Sequence, residues 1–380
     1  MVSRRTLSLC LSGAVLLISA CAVAYAQKNA GGAKDAGVQT ITVTGQGDPV
    51  DKSYRRMVLG MDLFERNRGL APDAPLRFKL LPRRKDTDMS SIRVEIVGET
   101  VEIPVKVASD NTFTLERIQK ALDEDASVRP NRKAQTMTWR TEIRTPGLPP
   151  NTRRLGDLRL ECAVGMEADL VSNRRSALQR IADLFGATRN YCSRLKPRYF
   201  FFAERPLFSV TLSSGARRET LSADMLYASA LDRPMSKEDF AFCDCEVLLD
   251  RAYFLPLGDR SWPDDTRVEF EYMDDERVAA KTLPTGNVKA LSAQSSIAVG
   301  KSTKADVIAA LGKSMVVPFD NGFEVWAYRF KDPSEETPQK SPSKDPPKPP
   351  PRETELVVLF APSGIATKTR MGLAAPVDGN

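Results

Sequence analysis

Short runs in which apolar and polar residues alternate dominate the chain between residues 76 and 170. Turn residues separate five such runs, at 76–80, 92–96, 101–105, 137–143 and 158–162. A period of two places every second side chain on one face of a strand, and closely spaced strands of this kind are typical of a sandwich or a small barrel. The alternation therefore predicts a β-rich, sandwich-like domain over 38–170.

Two other segments have the spacing of an amphipathic helix. The apolar face of the first consists of Tyr54, Met57, Val58, Met61 and Phe64, and Gly69 follows as a stop signal. The second, over 172–186, aligns Ala177, Ile181, Leu184 and Phe185. These positions fall on one side of a helix with 3.6 residues per turn. Together with strand-like runs at 199–202, 208–212, 219–221 and 268–272, the second helix predicts an α+β section over 171–276.

The C-terminal part, 296–380, predicts one short helix with defined ends. Thr303 is the expected N-cap, and Asp306 places negative charge in the first turn. Gly312 supplies the left-handed residue that ends many helices. The apolar stripe between these ends is formed by Val307, Ile308 and Leu311.

Strands are predicted after this helix, and a linker before it. Residues 323–330 alternate so that Trp326, Tyr328 and Phe330 share one face. Residues 331–352 are rich in Pro, Lys and Ser and cannot bury apolar surface, which predicts an extended insert between two strands. Residues 277–295 show little periodicity and are assigned to a linker.

Several fixed points recur in order along this C-terminal part. They are Gly300, Lys301, Thr303, Val307, Leu311, Gly312, Pro318, Phe319, Gly322, Trp326, Tyr328, Phe360 and Gly364. The series resembles the SmpA/OmlA (BamE-like) family of outer-membrane lipoprotein domains. It departs from the family pattern because no proline follows Gly312, because Val317 replaces the aspartate of the turn, and because no clear first helix precedes Ile297.

The resemblance implies a small domain with a helix on an antiparallel sheet, and a binding or scaffold role. The family belongs to the machinery that assembles outer-membrane β-barrels and supports envelope integrity. Thr303, Leu311, Gly312 and Trp326 are expected to be structural, with Trp326 facing the helix stripe. The resemblance makes Phe319, Asn321 and Gly322, in the turn, the candidates for contact with a partner.

The first 26 residues have the layout of a bacterial secretory signal, with Arg4 and Arg5 before an uncharged run over 6–26. Two cleavage sites compete. Residues 18–21 resemble a lipobox, which would make Cys21 the lipidated N-terminus, and 24–26 form an ordinary A-x-A site. The lipobox is favoured because it leaves an apolar run of normal length. The sequence therefore predicts an exported periplasmic protein anchored to the outer membrane.

Either cleavage leaves four cysteines without a lipid: Cys162, Cys192, Cys243 and Cys245. An even set in an exported chain predicts disulfides, and four cysteines allow three connectivities. A bond between Cys243 and Cys245 is disfavoured, because residues two apart on a strand have an unfavourable separation. Bonds from Cys162 or Cys192 to the 243–245 segment are favoured, and a bond between Cys162 and Cys192 stays open.

The composition argues against catalysis. The chain has no histidine, which excludes histidine triads, His-ligated zinc and His general bases. Its S-x-x-K and S-D-N matches, at 193–196, 341–344 and 109–111, stand in the wrong order for penicillin-binding chemistry and lack a K-T-G partner. No cofactor or metal is predicted. The formal net charge of +6 is mild, and an exported protein is not expected to bind nucleic acid.

These observations predict a non-catalytic cell-envelope protein whose partners are outer-membrane assembly proteins or other envelope proteins, and which reaches the membrane surface through its lipid. An alternative remains open. The chain would then be a periplasmic carbohydrate- or peptidoglycan-binding β-sandwich protein, with the SmpA-like domain as an accessory.

Overall fold

The computed structural model describes most of the chain that follows residue 50. The described residues are 51–84, 86–133, 136–170, 191–194, 199–231, 248–276, 287–331 and 353–374. The predicted signal segment with Cys21, the predicted helix over 172–186, the 243–245 segment and the insert beyond Lys331 lie outside them. None of the described helices is long and apolar enough to cross a membrane.

The described residues combine several antiparallel sheets with a few helices, which is the α+β class that the sequence predicts. The helices are α1 (Tyr54–Arg66), α2 (Gln119–Asp123), α3 (Leu155–Glu167), α4 (Val288–Ser295) and α5 (Lys304–Leu311). Short 3-10 helices lie at Arg68–Leu70, Tyr191–Ser193, Ala223–Met225, Tyr227–Ser229 and Leu249–Arg251. The strands are β1 (Lys52–Ser53), β2 (Leu76–Pro82), β3 (Val94–Val97), β4 (Glu102–Val105), β5 (Thr112–Phe113), β6 (Ser127–Pro130), β7 (Met137–Ile143), β8 (Thr152–Arg154), β9 (Phe201–Phe202), β10 (Leu207–Ser214), β11 (Arg217–Thr220), β12 (Ala252–Tyr253), β13 (Arg267–Tyr272), β14 (Met315–Pro318), β15 (Glu324–Lys331), β16 (Glu353–Phe360) and β17 (Ala366–Leu373).

Two antiparallel sheets and helix α1 enclose the N-terminal core. The strand orders are β1-β6-β3-β4 and β5-β2-β7. Strands β2 and β7 pair so that Lys79 lies opposite Arg140. The core contains Tyr54, Met57, Phe78, Ile96, Val128 and Trp139. Four of the predicted strands are thus confirmed as β2, β3, β4 and β7, with bounds shifted by up to two residues.

Helix α1 is confirmed where the apolar spacing predicts it. The Ser53 hydroxyl caps it by accepting a hydrogen bond from the Arg56 amide at 3.3 Å. The helix ends before Gly69, which belongs to the following 3-10 turn. A Cβ added at Gly60 would lie 2.8 Å from Cβ of Ala168, so glycine allows the close approach of α1 to the chain at the end of α3.

The strand predicted at 158–162 is wrong, because these residues form the middle of helix α3. The helix is buried on two sides. Leu155, Leu158 and Cys162 enter the core of the middle section, whereas Leu160 and Val164 pack with α1 in a smaller cluster. Apolar residues on both sides remove the single stripe by which a helix is recognised, so a short window resembles strand alternation.

The middle section is built on a sheet with strand order β11-β10-β13-β8. Strands β10 and β11 form the predicted hairpin, and β13 confirms the predicted strand at 268–272. Strand β8 lies before the predicted boundary at residue 170 and yet pairs with β13. The run over 199–202 forms a short strand, β9, which pairs with β12.

The C-terminal section places helices α4 and α5 on one face of a sheet with strand order β14-β15-β16-β17. Helix α4 occupies part of the predicted linker over 277–295. Asn287 caps it by accepting from the Ala290 amide at 3.2 Å. Its fully buried positions are Ala290 and Ala293, and such small side chains give little hydrophobic contrast in the sequence.

The opposite face of this sheet lies in the core of the middle section. The shared core includes Val317, Val325, Ala327, Val357 and Leu359 from the sheet and Leu207, Tyr227, Tyr253 and Phe270 from the middle section. The predicted boundaries after 170 and 276 therefore separate residues that share one core.

Buried charges cross the same contact. Glu355 and Arg370 are 0% and 1% exposed, and their Oε1 and Nη1 atoms lie 3.1 Å apart. The Ala223 amide donates to Glu355 Oε1 at 2.8 Å, and Arg370 donates to the Leu221 carbonyl at 3.2 Å. Lys368 Nζ donates to the Tyr272 carbonyl at 2.9 Å. Burial raises the pKa of Glu355, against the opposing effect of Arg370.

Candidate functional site

The turn proposed for partner contact is only partly exposed. The Phe319 ring packs inward against Tyr227, with ring centroids 5.0 Å apart. Asn321 and Gly322 are exposed, and the Asn321 side chain donates to Asp250 Oδ2 at 2.9 Å. The turn is therefore fixed to the middle section, and Asn321 and Gly322 are the members that a partner can reach.

The four residues expected to be structural lie at the two ends of α5 and in the core between this helix and the sheet. Thr303 and Asp306 form a reciprocal capping box at the start of α5. Gly312 follows the helix with φ +80° and ψ −161°, an extended rather than α-like left-handed conformation. Trp326 is 5% exposed and lies with Val307 in one hydrophobic cluster, against which the half-buried Leu311 packs.

The described cysteines are paired with each other. Sγ of Cys162, on α3, lies 1.97 Å from Sγ of Cys192. The sequence favours bonds to the 243–245 segment and leaves the Cys162–Cys192 pairing open. It predicts a strand at Cys162, whereas the residue lies on helix α3 and faces the core of the middle section.

The described residues also form a cleft of about 260 Å³, which we call the central cleft. One wall is the polar face of β2 and β7. Arg140, Glu142 and Arg144 alternate along this face, and Lys79 lies beside Arg140. The opposite face of the same strands carries Phe78, Leu80 and Trp139 into the N-terminal core.

The facing wall comes from residues 200–204. Phe200, Phe202 and Glu204 alternate along it and line the cleft. The two phenyl rings are nearly parallel, with an interplanar angle of 8° and centroids 6.3 Å apart. Both are half-buried. The guanidinium of Arg140 lies over the Phe202 ring at 4.7 Å, a cation–π contact that joins the two walls.

The carboxylates of Glu142 and Glu204 are already engaged by cations. Glu142 Oε1 lies 3.2 Å from Arg144 Nε, and Glu142 Oε2 lies 3.9 Å from Lys79 Nζ. Glu204 lies 2.7 Å from Arg144 Nη2. A cationic ligand would therefore compete with existing ion pairs on both walls.

The inner end of the cleft holds a buried ion pair between Arg153 of β8 and Glu161 of α3. Arg153 Nη2 lies 2.5 Å from Glu161 Oε1, and that oxygen also accepts from the Ile143 amide at 2.7 Å. Burial raises the pKa of Glu161 and Arg153 lowers it. The effect of burial is the larger, and the resulting pKa is about 7. The pair joins the N-terminal sheet, α3 and the middle sheet.

Two asparagines stand at the rim of the cleft with left-handed backbones, Asn111 at φ +60° and Asn151 at φ +56°. Asparagine tolerates this conformation better than most residues. Among the described residues, their side-chain amides take part in no hydrogen bond. Each can therefore offer a ligand both a donor and an acceptor.

The cleft was not predicted from the sequence, although one of its walls leaves a visible pattern there. The run 139–144 alternates Trp, Thr and Ile with Arg, Glu and Arg, which indicates a strand with one charged face. It does not indicate what lies opposite that face. The facing residues come from a segment about sixty positions further along the chain, and only the folded structure brings the two walls together.

No group of three or more Cys, Asp or Glu side chains that could hold a metal ion occurs among the described residues. Comparisons of the chain with protein families, with curated proteins and with solved structures found no match.

Proposed function

We propose that the chain is a non-catalytic cell-envelope protein, an outer-membrane lipoprotein that acts as a binding or scaffold factor in outer-membrane assembly or envelope integrity. In the proposed layout, a β-sandwich-like N-terminal region with helices precedes a C-terminal SmpA/OmlA-like domain with a helix-on-sheet arrangement. The partners are outer-membrane assembly proteins or other envelope proteins.

One observation carries this proposal: the residues behind the family resemblance lie together where the helix of the C-terminal section packs on its sheet. Thr303 caps α5, Gly312 follows it, and Trp326 packs beneath it on the sheet. Helix α4 adds a first helix before Ile297, the element whose absence was a departure from the family pattern. The geometry supports the resemblance, and the resemblance suggests the role.

The exposed part of the 319–322 turn is the proposed contact surface. The Phe319 ring packs inward on Tyr227 and so holds the turn in place. Asn321 and Gly322 are exposed, and the Asn321 side-chain amide is held in place by Asp250 and by the Phe323 backbone amide. A partner would thus meet a preformed loop and lose little entropy in ordering it.

Anchoring is tested first. If Cys21 is lipidated, the acyl chains contribute about 0.8 kcal/mol per buried CH₂, and the protein should partition into the membrane fraction. Cys21→Ser should leave an unprocessed or wrongly processed precursor. Intact-mass analysis that finds an unmodified N-terminus at Gln27 would contradict the lipoprotein proposal.

Partner contact is tested by site-specific photo-crosslinking in cells. A photoreactive residue at position 321 should crosslink an outer-membrane assembly protein, identified by mass spectrometry. The matched control places it at Lys106, which is also exposed but lies in the N-terminal section. Crosslinks to the same proteins from both positions, or to none from 321, would contradict the proposed surface.

A further inference from the structure

We propose that the central cleft is a binding site for a short saccharide that carries a carboxylate. This site is separate from the 319–322 turn and does not depend on the scaffold role. The proposal rests on the charge of the cleft, on its parallel phenyl rings and on two asparagine amides that bond to none of the described residues.

The charge of the cleft favours an anionic ligand. Five cations and four carboxylates line the cleft, which leaves an excess of one positive charge. Glu142, Glu161 and Glu204 are each paired with a cation. Lys79 and Arg144 lie on the wall with side chains 21% and 41% exposed. They keep donors available to solvent, because an ammonium carries three N–H donors and a guanidinium five.

The ring pair favours a ligand with a flat apolar face. Phe200 and Phe202 lie almost in parallel, are half-buried and line the cleft. Phe200 also packs on Phe254, and the Arg140 guanidinium lies over Phe202. A purely apolar ligand would remove solvent from the charged wall of β7, which is costly. A pyranose ring avoids that cost, because its C–H face can pack on a phenyl ring while its rim remains polar.

The side-chain amides of Asn111 and Asn151 can form hydrogen bonds with the hydroxyls of a saccharide. Neighbouring hydroxyls on a sugar each donate and accept, and a primary amide offers both functions in one plane. Asn111 and Asn151 bring two such amides to the same opening. The cleft volume of about 260 Å³ is just below the range typical of drug-sized pockets, which limits the ligand to a short saccharide or a chain end.

The test is isothermal titration calorimetry of the purified chain with three probes. Trigalacturonate is an acidic sugar trimer, maltotriose is a neutral trimer, and citrate is a polycarboxylate without a sugar ring. We expect trigalacturonate to bind at least about tenfold more tightly than either of the others, because a hydrogen bond to a charged group contributes that much. Its affinity should also fall as salt is raised, since exposed charges are screened.

Variants then locate the site. Lys79→Gln and Arg144→Gln should each weaken trigalacturonate binding about tenfold, because each removes one charged donor. Phe200→Leu keeps apolar bulk but removes the ring, and it should weaken all saccharide binding. Lys106→Gln is the matched control and should bind as the unaltered chain does. Thermal melting of every variant separates loss of binding from loss of fold.

Each contrary result overturns the proposal. Absence of trigalacturonate binding removes the site. Equal affinity for maltotriose removes the carboxylate requirement, and equal affinity for citrate removes the sugar. If Lys79→Gln and Arg144→Gln bind normally while folded, any saccharide site on the chain lies outside the central cleft.

Discussion

The backbone of Gly312 gives the first prediction at the scale of single residues. With φ +80° and ψ −161°, it adopts a conformation that side chains with a Cβ rarely reach. A Cβ there would meet nothing within 4 Å, so any cost of substitution comes from the backbone and not from crowding. We expect Gly312→Val to lower the free energy of unfolding by about 1 kcal/mol or more.

Chemical denaturation measures this effect. Gly69→Val is the matched control, because a Cβ at Gly69 also meets nothing within 4 Å and its backbone is not left-handed. If the two variants lose the same stability, the conformation at Gly312 is not the cause.

Glu161 gives a prediction for pH. Burial raises its pKa from 4.5 to about 7, so between these values the folded chain keeps a proton that the unfolded chain releases. The contribution of Glu161 to the free energy of unfolding is therefore greatest below pH 4.5, falls as the pH rises and levels off above 7. A shift of this size corresponds to at most roughly 3–4 kcal/mol.

Stability measured between pH 4.5 and 8 checks this sign. In Glu161→Gln the neutral amide does not titrate, so the decline with rising pH should become shallower. Glu65→Gln is the control, since its carboxylate is 61% exposed. A slope that stays unchanged in Glu161→Gln would show that this group does not titrate in the range.

Single-residue features were the most predictable from sequence. The N-cap at Thr303 and the positive φ of Gly312 depend on a few neighbouring residues, and both were predicted. The return bond from Asp306 that completes the capping box was not. The deep burial of Glu161 was not. It depends on Arg153 and on the Ile143 amide, whose approach only the tertiary structure determines.

At the scale of elements, the sheet under α4 and α5 gives a prediction for Trp326. The ring is 5% exposed and lies 4.6 Å from the Phe360 ring, measured between centroids. Trp326→Ala should cost roughly 3–5 kcal/mol, because it leaves a cavity in the helix–sheet core. Thermal or urea unfolding measures the loss.

The control for that loss is Val316→Ala on the paired strand β14, where the side chain is 44% exposed. A surface truncation of this kind should change stability by no more than about 0.5 kcal/mol. If Trp326→Ala is as mild as Val316→Ala, the aromatic face of the sheet does not form the core described above.

The disulfide that joins α3 to the 3-10 turn at Tyr191–Ser193 gives a further prediction. Non-reducing peptide mapping of the oxidised protein should find Cys162 bonded to Cys192, which are 30 residues apart. Closing a loop of that length stabilises by roughly 3–4 kcal/mol in the chain-entropy model. Free alkylatable thiols at both positions, or a bond from either one to Cys243 or Cys245, would contradict this pairing.

Elements with one apolar stripe were predictable, and those with two buried sides or small buried residues were not. Helix α1 has a single face of large side chains and was recognised. Helix α3 is buried on two sides and was read as a strand, while α4 buries alanines and was read as a linker. In each failure the hydrophobic period was weakened by the way the element packs.

At the scale of the whole molecule, the sections depend on one another through shared cores. Alternation along β15 showed which residues share a face, and it did not show that both faces are covered. The central cleft has the same origin, since its two walls come from distant segments. Such long-range contacts carry little signal in one sequence.

The last prediction follows from the double coverage of the C-terminal sheet. Cut out as residues 287–380, the section would expose Val317, Val325, Ala327, Val357 and Leu359, which are at most 4% exposed in the chain. Each of the four valine and leucine side chains contributes about 1.5–3 kcal/mol by burial, so the loss is comparable to the 5–15 kcal/mol that stabilises a typical domain. The cut would also remove the Ala223 amide and the Leu221 carbonyl that form hydrogen bonds with the buried Glu355–Arg370 pair. We therefore expect no cooperative melting from this fragment in circular dichroism.

A fragment can also fail to melt cooperatively because the isolated piece aggregates. Val325→Thr in the full chain therefore tests, without a fragment, whether the C-terminal section depends on the middle section. It places a hydroxyl in the shared core and should cost about 1–3 kcal/mol, because that site offers an apolar environment. If the C-terminal section were an independent domain with a solvated outer face, the same change would be nearly neutral and the fragment would melt cooperatively. Those two results together would refute the shared core. A destabilised full chain with a non-cooperative fragment would mean that any partner of the 319–322 turn meets a loop whose position depends on the middle section.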